Sequence, residues 1–150
     1  MSAIPSELLD EAIQSFIRYR DLGERAMAQL KDEELFRTID PEANSIAVIV
    51  KHLRGNMISR WTDFLTSDGE KPDRNRDAEF EVAGECSRED VERWWAEGWH
   101  VALATLQALR PTDLGAVVTI RGEPLSVLQA ILRNLNHAAY HVGQIVLLAK

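Results

Sequence analysis

PLSVLQAILRNLNHAAYHVGQIVLLAK, residues 124–150, reads as one helix running from Pro124 to the end of the chain. Proline suits the first turn of a helix, where its missing N–H would have no intrahelical partner in any case. Between Leu125 and Ala149 the only charged side chain is Arg133, so this helix is expected to be buried on most sides. Leu125, Leu132, Gly143 and Leu147 lie opposite its main apolar stripe. A helix apolar almost all round either sits centrally or contributes to a subunit contact, and a homodimer is expected.

Three further helices precede it. A first runs from about Pro5 to about Leu30, with Leu8, Ile13, Phe16, Ile17, Leu22, Ala26 and Leu30 at helical spacing. Lys31–Ala43 reads as a connector with a turn of helix around Asp32–Phe36, broken at Asp40-Pro41. A second helix begins at Asn44 or Ser45, both good N-caps, and continues to about Leu65 along the stripe Ile46, Val50, Leu53, Met57, Trp61 and Phe64. Ser87 opens a third with Asp90 three residues on, resembling a capping box, and Pro111 stops it after Leu109. Ala116–Arg121 followed by Gly122 suggests a short extended ribbon. Between the second and third helices, Ser67–Cys86 is charged and aperiodic, and connections of that length are commonly functional or mobile. The prediction is an all-α four-helix bundle, one domain over residues 1–150, with a long crossover between helices two and three.

Composition narrows the function. Apolar residues make up 45% of the chain and charged ones 27%, a globular balance. The net charge of −7 and the lack of a dense Lys/Arg run argue against nucleic acid or an anionic membrane as partner. The longest apolar runs, Ser45–Val50 and Ile145–Ala149, are far short of the roughly 20 residues that span a bilayer. No signal peptide is visible in the first residues, and a lone cysteine, Cys86, permits no internal disulfide; a cytoplasmic protein is expected.

The chemistry sits in the histidines. His137 and His141 are four residues apart, about 40° around a helix axis and about 6 Å along it, so both imidazoles can converge on one cation. In a buried helix each ring nitrogen left without a partner costs about 1–3 kcal/mol, and a shared metal would satisfy one nitrogen on each ring. His52 lies beside the apolar stripe of the second helix on a ledge with Ser45, Asn56, Ser59 and Asp63. That ledge suits either an internal site or a solvent-exposed polar edge. His100 falls on the polar side of the third helix with Glu89 and Arg93 and reads as a surface residue. Three histidines without a fourth strong protein ligand leave a coordination position open, the mark of a catalytic metal site. Asn56 and Gln144 are candidate acceptors for the remaining ring N–H groups, with ordinary core hydrogen bonding as their plainer role.

VIVKHLRGNM (residues 48–57) and HAAYHVGQIVLLAK (residues 137–150) resemble the DinB-like superfamily, metal-binding four-helix bundles with one histidine on the second helix and an H-x-x-x-H pair on the fourth. RWTDFLTSDGEKPDRNRDAEF (residues 60–80) is similar to a branch of that superfamily without an assigned activity. The resemblance implies a divalent metal, zinc or nickel, on His52, His137 and His141, and a homodimer. It also implies a small-molecule substrate, a low-molecular-weight thiol among the candidates, since characterised members include thiol-dependent S-transferases and an isomerase. The expected function is therefore a metal-dependent transferase or hydrolase that activates a thiol or water. The competing readings are a non-catalytic, stress-related metal- or ligand-binding protein, and histidines that hold no metal. Arg74 and Arg76 in the crossover are able to grip a substrate carboxylate, although a solvated charged loop is the plainer reading. Cys86 has no activating neighbour in sequence and reads as a small structural residue.

Overall fold

The computed structural model describes residues 3–150. Four long helices form a bundle: α1 (Ile4–Ala28), α2 (Ile46–Trp61), α3 (Arg88–Ala108) and α4 (Val127–Leu148). Their apolar stripes meet around Phe16, whose ring stands edge-on to Trp61 at 5.9 Å and to Trp99 at 6.2 Å. Helix α2 packs mainly against α3 and also meets α4, while α1 lies mainly along α4. No helix among the described residues is long and apolar enough to cross a membrane.

The helix starts follow the capping chemistry of the sequence. Ser45 accepts from the Val48 N–H, and Ser87 and Asp90 form the expected reciprocal box. The predicted helical turn at Asp32–Phe36 is a short 3₁₀ turn that buries Leu35.

Three expectations need correction. Helix α2 ends at Trp61 rather than near Leu65, because Asp63 adopts a left-handed φ of 48° that no helix continues through. The last helix does not start at Pro124. Pro124 and Leu125 belong to strand β2 (Glu123–Ser126), which pairs antiparallel with β1 (Val117–Ile120). Ser126 instead caps α4, in a reciprocal box with Gln129. Nor is α4 buried on most sides: Leu132, Tyr140 and Leu147 face solvent, Leu147 at 70% exposure.

The β hairpin turns through Arg121 and Gly122, both at positive φ, the two-residue turn that glycine favours. Both backbone N–H groups of that turn donate to the Asp68 carboxylate at 2.8 Å. Gly69 N–H also donates to the Thr119 carbonyl, so the crossover is tied to the hairpin. It then folds back along α2. Ser59 Oγ donates to the Gly69 carbonyl and accepts from the Lys71 N–H, Lys71 Nζ donates to the Ser59 carbonyl, and Lys51 Nζ donates to the carbonyls of Ala78 and Glu81. The crossover is thus an ordered strap over the polar ledge of α2, covering His52 with Glu79 and Phe80 and Ser59 with Gly69 and Lys71. Ser45 and Asn56 are buried as well, and Asp63, placed on the same ledge from sequence, is exposed.

Candidate metal centre

One turn below the histidines, α2 and α4 are joined by a buried polar chain. Trp61 Nε1 donates to Asn134 Oδ1, and Asn134 Nδ2 donates to Asn56 Oδ1, both at 2.8 Å. Asn56 therefore serves the core, and among the described residues its side chain bonds to Asn134 and not to an imidazole, in keeping with its plainer role. Above this clamp, α2 contributes His52 and α4 contributes His137 and His141. One ring nitrogen from each lies within 4.8 Å of the others, close enough to hold a metal ion. His52 is 4% exposed, which decides between the internal site and the surface edge. His100 is exposed and lies outside the group.

Nε2 of His52 and Nε2 of His137 are 3.1 Å apart. Two nitrogens bound to one tetrahedral zinc at about 2.05 Å each stand about 3.3 Å apart, so the observed spacing fits a shared cation. The far side of the rings agrees. His52 Nδ1 donates to Glu79 Oε1 at 2.9 Å, and His141 Nδ1 donates to Gln144 Oε1 at 2.8 Å. Each bond places the proton on Nδ1 and leaves Nε2 as a bare lone pair. Gln144 thus takes the role its spacing suggested. His137 Nδ1 is buried without a hydrogen-bond partner among the described residues.

Glu79 was not found from sequence. It lies in the 3₁₀ turn Asp77–Phe80 of the crossover, where no periodicity marks it. Arg74 grips it through two bonds, Nε to Oε2 and a terminal nitrogen to Oε1, both at 2.9 Å. The Arg74 side chain is 4% exposed, so it is neither a free substrate clamp nor part of a solvated loop. Burial raises the Glu79 carboxyl, but the hydrogen bonds and charge of Arg74 and His52 outweigh burial and keep it below the usual carboxylate range. The signal available in sequence was a glycine, Gly55, on the ledge one turn from His52. A Cβ there would meet Glu79 Oε2 at 1.9 Å, so the carboxylate fills the space the missing side chain leaves.

Burial holds His137 at about 3, far below the ordinary imidazole range, with the like charges of His141 and His52 adding to the effect. Burial also lowers His141, to about 4, against the opposing bond to Gln144. Both rings are therefore neutral, ready ligands at neutral pH. The unfolded chain takes up these protons near pH 6.5 and the folded chain does not. Stability of metal-free protein is then full above pH 6.5 and falls as pH drops toward 4, with a slope approaching two protons. Urea unfolding at steps from pH 7.5 to 5 measures this; a flat profile would refute it.

The sequence model of a protein family described as "Protein of unknown function (DUF1572)" matches residues 3–150. No curated protein matches the chain.

Proposed function

We propose that this chain, which belongs to the DUF1572 family, is a DinB-like metal-binding protein of a single domain that works on a small molecule at His52, His137 and His141. The reading rests on one observation: three ring nitrogens meet in a small space with two of the opposite nitrogens anchored by Glu79 and Gln144. A divalent cation there, zinc or nickel by ligand type, supplies the Lewis acidity that keeps a thiol or a water ionised at neutral pH. The chain's own residues do the rest. Arg74 orients Glu79, Glu79 fixes the tautomer of His52, and the Asn56–Asn134 chain holds the two helices in register. The low proton affinity of His137 and His141 minimises competition by protons. Beside the rings a cavity of about 400 Å³ leaves room for a substrate. This arrangement supports a transferase or hydrolase that activates a low-molecular-weight thiol or water for attack on an electrophile.

Elemental analysis of tag-free protein should return about one metal per chain, and His137→Ala should lose it. Metal-free native protein would end the metal reading. Turnover of thiols with monochlorobimane should be metal-dependent and collapse in His52→Ala. Equal rates in both proteins would instead favour a binding role.

A further inference from the structure

The cavity beside the histidines has a charge at odds with the whole molecule. The chain carries −7, yet five arginines line this space, Arg60, Arg74, Arg76, Arg121 and Arg133, and no acidic residue lines it among the described residues. Two carboxylates stand behind the wall. Glu70 pairs with Arg60 at 2.8 Å, Arg74 at 3.4 Å and Arg121 at 3.5 Å, and Glu79 pairs with Arg74. Three of the five are thereby held in place. Arg76 and Arg133 have no carboxylate within 4.0 Å among the described residues. Arg76 is positioned without a counter-ion: its guanidinium lies 5.4 Å over the Phe80 ring, and Phe80 stacks at 5.0 Å on His52. Arg133 comes from α4, one turn before His137.

Like charges gathered around a cavity repel one another, a cost that an anionic ligand removes, and Arg76 and Arg133 are exposed and so open to such a ligand. Guanidinium groups give planar, paired donors matched to carboxylate and phosphate oxygens. We infer that the site takes a small molecule bearing an oxyanion group, carboxylate or phosphate, held by Arg76 and Arg133 while its reacting part faces the three histidines. The inference gives the substrate class for the small-molecule site proposed above. Arg60 and Arg121 act as fixed positive background, because Glu70 already occupies them.

Calorimetric titration of zinc-loaded protein with succinate, inorganic phosphate and neutral succinamide tests it. At least one oxyanion should bind at least tenfold more tightly than succinamide, and the stronger of the two assigns carboxylate or phosphate. The double variant Arg76→Gln/Arg133→Gln should weaken that binding by about tenfold or more with zinc content unchanged. Oxyanions binding no better than succinamide, or equally well to the double variant, would overturn the inference. The metal content of native protein separates it from the metal reading. Native protein that holds no zinc but binds an oxyanion through Arg76 and Arg133 leaves the anion site standing while the metal reading falls; zinc-loaded protein that ignores both anions has the reverse meaning.

Discussion

Glu79→Ala is expected to destabilise the protein by about 3–5 kcal/mol, toward the lower end of that range, and to weaken metal binding about 10–100-fold. The reason is what the carboxylate leaves behind. Arg74 is buried, and without Glu79 only the longer contacts to Glu70, at 3.4 and 3.5 Å, remain for its charge. His52 loses the acceptor that fixes its Nδ1 proton, so its ring no longer holds Nε2 toward the other two imidazoles. Glu79→Gln keeps the shape and an acceptor oxygen but removes the charge, so it should fall between native and alanine in both measures. Adding Arg74→Met to Glu79→Ala should recover part of the stability, because the orphaned guanidinium is then gone, but none of the metal affinity. Urea unfolding and competition with a chelator read the two effects separately. A Glu79→Ala protein within about 1 kcal/mol of native that binds metal equally well would show that the crossover carboxylate is incidental.

What could be read from the sequence follows from which interactions are periodic. His137 and His141 share a helix face by arithmetic, and the ledge of α2 isolated His52 because burial there interrupts an apolar pattern with small polar residues. Glu79 and Arg74 obey no period, since they are placed by long-range ties: Asp68 to the hairpin turn, Lys71 to Ser59, Lys51 to the carbonyl groups of residues 78 and 81. The end of α2 was misjudged for a related reason. Phe64 extends the apolar stripe and is buried against Trp61 at 4.8 Å, but it does so after the chain has left the helix at Asp63. Hydrophobic spacing reports which side chains reach the core, and it continues through a backbone that has already turned. The same limit hid strand β2, where a proline suited to a helix start instead occupies a two-strand edge.

Gly55→Ala separates local preference from the demands of the site. In the interior of α2 the change should stabilise by about 0.5–1 kcal/mol, because alanine loses less backbone freedom than glycine. The added Cβ, however, would stand 1.9 Å from Glu79 Oε2 and 2.4 Å from Glu79 Cδ. A carboxylate at the end of a free side chain would swing aside at little cost. This one is buried and bound on both oxygens, to Arg74 and to His52, so moving it breaks both attachments together. The net outcome is expected to be opposite in sign, a loss of about 1–3 kcal/mol in stability and a metal affinity lowered about 10–100-fold. Once the carboxylate is displaced, its charge has little left to contribute. Glu79→Gln should then cost much less in the Gly55→Ala background than in the native one, and that non-additivity marks the shared mechanism. A Gly55→Ala protein that gains stability and keeps native metal affinity would mean that Glu79 moves freely and does not orient His52.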